Sequence, residues 1–313
     1  MCTYNGAHYL DEQLASIVAQ IRPPDELIIC DDCSTDTTRA ILTSFVATSP
    51  IKIKLKTNSV RLGSTRNFEQ AISLCDGDVI ALCDQDDVWL PDKLALTDEA
   101  FTADPDVALV FTDAELVDEN GNSLNQRLWD AYKVDTDKLG SDRAYELLDR
   151  REAITGTTMA FRASFKKLVL PIPDKIPLIH DGWIAQMIAH AGNLKPIAKP
   201  LIKYRQHSAQ QVGAPLESLE TRSSVMESAR RETDFDQELR RIESVLQRMD
   251  ACAGMFEFRG RDNVEALITH FETRKALPGQ KLAYLPKIFR ELFTGRYHRY
   301  SKGFSSFVKD LVR

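Results

Sequence analysis

The chain has 313 residues, 43% of them hydrophobic and 27% charged, an ordinary globular composition with room for a large core and a smaller appendage. A net charge of −6 and a pI near 5.6 argue against a nucleic-acid binder held by a global basic field. No apolar run approaches the ~18 residues that span a bilayer and no signal-peptide pattern opens the chain, so a cytoplasmic protein is expected.

From the N-terminus, Gly6 to Ile21 carries Leu10, Leu14, Ile17, Val18 and Ile21 at helical spacing, and Pro23 and Pro24 stop it. "ELIICDD" predicts a buried strand ending in Asp31 and Asp32, followed by a helix in "STDTTRAILTSFVA" with Ser34 or Thr35 as N-cap. "IKIKLK" alternates with period two, a strand with one solvated face. "STRNFEQAISLC" predicts another helix and "DVIALCD" another buried strand. Strands alternating with helices imply an α/β fold with a mostly parallel sheet covered on both faces. Ligands of such sheets bind beyond the carboxyl ends of the strands, where both acidic clusters fall.

Further on, "VALVFTDAELVDENG" predicts a strand and a turn at Asn120-Gly121, "AITGTTMAFR" a strand, and "HDGWIAQMIAHAG" a helix ended by Gly192. Thr221 to Gly254 is charged and helical in pattern. From Lys281 the chain is basic and aromatic. Lys281, Lys287, Arg290, Arg296, Arg299, Lys302, Lys309 and Arg313 face only Glu291 and Asp310, a net +6. Such a run forms either a solvated helical face or a surface for an anionic membrane. The six cysteines are scattered and read as buried thiols of a reducing compartment. Cys30 and Cys33 imitate a Cys-x-x-Cys, but no second pair completes a zinc site.

The densest chemistry lies in "ALCDQDDVWLPDKL", where Asp84, Asp86, Asp87 and Asp92 follow an apolar run. Like charges this close oppose one another's ionisation. Pro91-Asp92 suits a helix start, which accounts for Asp92. Asp84 and Asp86 lie too far upstream to cap that helix. A hard divalent cation explains them better, because Mg²⁺ or Mn²⁺ takes one or two carboxylates and completes its shell with substrate phosphates. Trp89 is expected to pack beneath this loop, and Cys83 to be a small buried apolar residue.

"CTYNGAHYLDEQLASI", "IICDDCSTD", "NSVRLGSTRNFEQAI", "LCDQDDVWLPDKL", "GTTMAFR", "HDGW" and "YRQHSAQQVG" occur in that order. The sequence resembles the family-2 inverting glycosyltransferases with a GT-A fold, and among them the bacterial rhamnosyltransferases of surface-polysaccharide synthesis. The resemblance covers Met1 to about Gly213. It implies a transferase unit over residues 1–213 and a helical, C-terminally basic extension over 214–313. It further implies that Tyr4 packs on the donor pyrimidine, Asp32 bonds its N3–H edge, and Arg66 lies near the nucleotide or its phosphates. Asp84 would face the ribose, Asp86 the metal, with Asp87 in support. Asp181 falls at the general base, and an N-cap role there is compatible. His180 and Trp183 would shape the acceptor side, and His207 would reach the diphosphate or the metal.

The implied reaction is metal-dependent inverting transfer of a sugar, L-rhamnose from dTDP-rhamnose, to a saccharide or polyprenyl-diphosphate-linked acceptor. The basic, aromatic C-terminal run adds the expectation of contact with the inner face of the cytoplasmic membrane. Two other readings stand beside it: a UDP-hexose or UDP-N-acetylhexosamine donor, and an inactive nucleotide- or glycan-binding protein. A dinucleotide oxidoreductase is excluded, since no Gly-x-Gly-x-x-Gly follows a strand. Two departures from the family pattern carry expectations. Members usually have an apolar strand ahead of "TYN", so here that central strand is expected to be missing or upstream. Gly182 stands where an aromatic residue is common, and is expected to enlarge the acceptor pocket.

Overall fold

The computed structural model describes residues 1–148, 154–208, 210, 234–276, 281–301 and 303–312. The boundary between residues 213 and 214, residues 221–233 of the predicted charged helix, Lys302 and Arg313 lie outside the described residues.

The N-terminal part builds a three-stranded parallel sheet of β1 (Cys2–Thr3), β2 (Leu27–Asp31) and β3 (Ile53–Thr57). All five residues of β2 are buried, as expected of a strand covered on both faces. Leu27 and Ile29 pack with Leu10, Leu14 and Ile17 of α1 (Ala7–Val18) and Leu42 of α2 (Thr38–Thr48). Ile28 and Cys30 pack on the other face with Phe68 and Ile72 of α3 (Ser64–Leu74). The period-two pattern of β3 is realised likewise, with Ile53 and Leu55 against the core and Lys54 bonded to Asp76 at the surface. α2 starts later than the sequence predicts. Ser34 accepts a bond from Asn5 N–H and donates to Asp31, and the Asp36 carboxylate takes the Thr38 N–H at 3.0 Å.

A second, mixed sheet is ordered β4 (Val79–Ala81), β8 (Met159–Arg162), β6 (Val107–Val117), β9 (Asn193–Arg205) and β5 (Val88–Trp89), with β7 (Ser123–Arg127) paired to β6. β6 runs antiparallel to β8 and parallel to β9. Between these strands lie α4 (Lys93–Ala103), α5 (Leu128–Tyr132), α6 (Thr136–Leu139), α7 (Tyr145–Leu148), α8 (Lys166–Val169) and α9 (His180–Ala191). Asp92 occupies the N-cap of α4, but its carboxylate bonds Lys199 and does not cap. All six cysteines are free.

A two-residue strand, β1, precedes Tyr4. Cys2 pairs with Cys30 and Thr3 with Asp31, and the Met1 ammonium donates to Ile28 O at 2.8 Å while Met1 itself is buried. Among the described residues β1 is hydrogen-bonded to β2 alone, so no strand pairing joins the two sheets, which part between β1 and β4. A cavity of about 250 Å³ opens there, lined by Met1, Ile28, Phe68, Ile72, Ile80 and Trp89 among others.

The C-terminal helices are α10 (Phe235–Cys252), α11 (Arg261–Lys275), α12 (Lys281–Phe293), α13 (Arg296–Tyr300) and α14 (Phe304–Val312). Phe235, Leu239, Ile242, Val245 and Met249 of α10 share the main core with Val264 and Leu267 of α11 and with Trp183, Ile184 and Met187 of α9. Ile288, Tyr297 and Phe307 form a separate small cluster at the far end.

Candidate active site

The acidic loop leaves β4 at Leu82 and is pinned before it is charged. Buried Gln13 donates to Asp84 O at 3.1 Å, and Trp89 N–H donates to Ser16 Oγ at 3.0 Å with its ring buried beneath the loop. Gln85 stitches the loop to the end of β1. Its Oε1 accepts Tyr4 N–H at 2.8 Å and its Nε2 donates to Tyr4 O at 3.1 Å. This approach requires Gly6, where a Cβ would lie 2.2 Å from Gln85 Oε1.

Within the loop the three carboxylates differ. Burial, then the charges of Asp86 and Asp181, push Asp84 up to about 8. Asp87 is fully buried and is also raised, by burial first and then by Asp86 and Asp84, while its Oδ1 accepts Arg205 N–H at 3.0 Å. Half-buried Asp86 meets His207, whose Nε2 lies 3.0 Å from its Oδ2. The His207 backbone is fixed by a bond to Gln210 Oε1 at 2.7 Å, and its ring lies 4.8 Å from that of Tyr9.

Arg205 organises this corner and carries no role in the sequence reading, although "YRQH" contains it. It is 3% exposed. Nε donates to Asp86 O at 2.8 Å, Nη1 to Glu119 O at 3.0 Å and Nη2 to Glu12 at 2.6 Å, beneath the Tyr9 ring. Lys93 is equally hidden, 1% exposed, donating to Thr157 O at 3.2 Å and lying 4.9 Å from the Trp89 ring centre. Burial drives its pKa down to about 8, against the pull of Cys83 and Asp87. Neither residue is distinguishable in sequence from an exposed cation.

On the opposite wall, Asp181 opens α9 with both oxygens held by backbone amides. Gly156 N–H donates to Oδ2 at 3.0 Å and Gly182 N–H to Oδ1 at 2.6 Å. A Cβ at Gly156 would press on His180 Nε2 and Asp181 Cβ at 3.2 and 3.3 Å. His180 is buried and stacked 3.8 Å from Phe68, with neither ring nitrogen hydrogen-bonded. Trp183 is fully buried and donates from Nε1 to Val169 O at 2.8 Å. The expectation that His180 and Trp183 line the acceptor side is therefore corrected: the turn of α9 that displays Asp181 points both rings into the core. Gly182 opens no pocket either, since a Cβ there would meet Leu178 at 3.0 Å.

The nucleotide side is partly assembled. Tyr4 lies at the carboxyl end of β1 with the exposed Arg61 guanidinium 3.8 Å from its ring centre. Asp32 is buried and clamps the neighbouring loop, accepting Leu62 N–H at 2.7 Å, Gly63 N–H at 2.8 Å and Asn58 Nδ2 at 3.0 Å. Arg66 turns away to ion pairs with Glu69 and Asp174. Asp86 and Asp87 thus meet the end of β9 at His207 and Arg205, Asp84 between them and β4 feels the charge of Asp181, and Tyr4 is tied to the same loop through Gln85. Asp32, in contrast, follows β2 in the neighbouring sheet, and Arg66 is engaged by Glu69 and Asp174.

The sequence profile of glycosyl transferase family 2 matches residues 1–169. The chain belongs to glycosyl transferase family 2. A relative from Nostoc, an uncharacterized glycosyltransferase, is 32% identical over 212 residues, covering 66% of this chain and 63% of its own length. The dTDP-rhamnosyl transferase RfbG of Shigella flexneri is 29% identical over 226 residues, 68% of this chain and 74% of RfbG. The Escherichia coli WfgD, named as a UDP-Glc:alpha-D-GlcNAc-diphosphoundecaprenol beta-1,3-glucosyltransferase, is 29% identical over 139 residues, 44% of this chain and 53% of WfgD. The chain therefore spans under two thirds of the Nostoc and WfgD sequences. Among solved structures, residues 1–349 of S. aureus TarS with UDP-GlcNAc superpose with a TM-score of 0.57 at 13% identity, over 87% of this chain and 70% of that one. The Pyrobaculum calidifontis mannosyltransferase PcManGT with GDP-Man and Mn²⁺ gives 0.51 at 21% identity, over 94% and 73%. At these identities the likeness is one of fold, and the family-2 fold here is GT-A.

Proposed function

We propose that the protein is an inverting glycosyltransferase that moves a sugar from a nucleoside-diphosphate donor to an acceptor hydroxyl, with the transferase unit over residues 1–213. The observation that carries this reading is the meeting of Asp86 and His207 at 3.0 Å beside Asp84, a carboxyl close enough to Asp181 to be raised by its charge. A carboxylate and an imidazole suit Mg²⁺ or Mn²⁺, and no third His, Cys, Asp or Glu joins them among the described residues. The remaining positions suit diphosphate oxygens and water. The raised Asp84 fits too, since a cation beside it relieves the repulsion that burial has sharpened. When bound, the cation supplies charge neutralisation for the departing diphosphate.

The chain's own residues do the rest. Tyr4 offers a face to the base, Asp32 holds the loop beside it, and Asp84 lies where a ribose hydroxyl would be bound. Asp181 takes the proton from the acceptor oxygen as that oxygen bonds to the anomeric carbon and the bond to the diphosphate oxygen breaks. The two backbone amides on Asp181 fix the carboxylate and leave it lone pairs for this transfer. The donor is dTDP-rhamnose and the acceptor a saccharide or a lipid-linked saccharide, supported by the motif set and the RfbG likeness. A UDP-sugar is the second reading, favoured by the WfgD likeness. Calorimetric titration of dTDP and UDP with and without Mn²⁺ tests both. Metal-dependent binding with dTDP preferred is expected; UDP preference selects the second reading, and no binding of either sinks the transferase.

A further inference from the structure

We propose that the face formed by α12 and α14 is a docking surface for an anionic phospholipid bilayer. Phe289 and Phe293 stand one turn apart on α12, 41% and 83% exposed, and Phe304 and Val308 stand one turn apart on α14, 60% and 41% exposed. The two pairs form one ridge. Phe289 lies 6.3 Å from Phe293 and 5.6 Å from the buried Phe307, which lies 5.5 Å from Phe304. Contiguous exposed aromatics of this kind mark an interaction site.

The charges decide the partner. Lys287, Arg290 and Lys309 are exposed around the ridge. The two acidic residues of the segment are turned inward, each 3% exposed. Glu291 is held by His270 Nδ1 and Arg296 Nη1, both at 2.7 Å, and Asp310 by Arg274 Nε at 2.6 Å and Tyr297 Oη at 2.8 Å. The exposed face over the described part of 285–312 therefore presents bases and apolar rings without a carboxylate. A second copy of this face would meet it with like charge. With −6 overall and +6 from Lys281 onward, residues 1–280 carry −12. An anionic bilayer attracts this end and repels the body, so the charge asymmetry also orients the molecule. Rings enter the headgroup boundary while lysine and arginine stay at the phosphates.

The test is flotation of the whole protein with vesicles of phosphatidylcholine alone and of phosphatidylcholine with phosphatidylglycerol. Binding to the anionic vesicles only, weakening as salt rises, is expected. Lys287→Ala and Arg290→Ala should each weaken it about fivefold. Phe293→Ser with Phe304→Ser should weaken it more than about tenfold, with circular dichroism unchanged because both rings are exposed. Equal binding to neutral vesicles, retention by the ring variant, or a dimer that the ring variant dissolves would each overturn the proposal. Nucleotide titration without lipid reads the transferase function separately, so either idea can fail alone.

Discussion

His207 and Asp86 are 121 residues apart in sequence, yet Nε2 and Oδ2 meet at 3.0 Å because β5 pairs with β9 and carries the "DQDD" loop to the end of the "YRQH" strand. If this pair holds the cation, each half is needed. Asp86→Asn and His207→Ala should each weaken Mn²⁺-dependent nucleotide binding by at least about tenfold, with metal-free binding unchanged. Titration at fixed nucleotide and varied Mn²⁺ checks it, and an unaltered metal dependence in both variants removes them from the site.

Arg205 acts one layer behind. Its fork bonds two backbone carbonyls and Glu12 while the backbone N–H of the same residue holds Asp87. Lysine keeps the charge but has no planar fork. Arg205→Lys should therefore lower unfolding free energy by about 2 kcal/mol and weaken Mn²⁺ binding together. A variant that loses stability in denaturant titration yet keeps full metal affinity would show that the loop holds its shape without this residue.

Asp181 is predicted to separate binding from chemistry. Asp181→Asn preserves volume and one acceptor oxygen, so α9 should remain intact. A general base contributes about 10²–10⁴-fold, so kcat should fall by that factor with donor affinity within about twofold. Transfer at the parental rate would exclude the base assignment.

Trp183 should behave in the opposite way. Its indole is sealed between α9 and Val169 O with Arg248 5.4 Å from the ring centre. Trp183→Phe loses one buried hydrogen bond, about 1 kcal/mol, and should leave the acceptor KM unchanged. A raised acceptor KM in a variant of normal stability would restore it to the acceptor side.

These residues also show what the sequence could and could not display. The strands, the helix order and the acid-bearing edge were legible because periodicity and the β–α alternation report burial directly, as at Ile28, Cys30 and Phe68. Asp84, Asp86, Asp181 and His207 could be nominated because ordered motifs contain them, and of these the fold sets Asp86 directly against His207. Side-chain direction was not. His180 and Trp183 share a motif with Asp181, but a helix rotates each successive residue by about 100°, and only the packing of α9 on Phe68 and Val169 decides which faces solvent. Arg205 and Lys93 were hidden for a related reason, since a buried cation is betrayed by its partners, and those lie on distant segments. The C-terminal run was readable as basic and aromatic, but only the helix packing reveals that Glu291 and Asp310 face inward.

Lys93 makes the last prediction, on stability against pH. Burial lowers its pKa from 10.5 to about 8, so the folded protein releases this proton before the unfolded chain does. Between about pH 8 and 10.5 the unfolded chain holds the extra proton, and stability rises with pH through that window. Below about pH 8 both states are protonated and the cost of the buried charge is present in full. Lys93→Met keeps the stem that packs on Trp89 and removes the charge. It should raise unfolding free energy near pH 7 by up to about 3 kcal/mol, less whatever the Thr157 bond returned. The difference between parent and variant, measured by denaturant unfolding from pH 7 to 10, should shrink steadily as pH rises. A difference that stays flat would mean that Lys93 remains charged in the fold, held by Asp87 more firmly than its burial opposes.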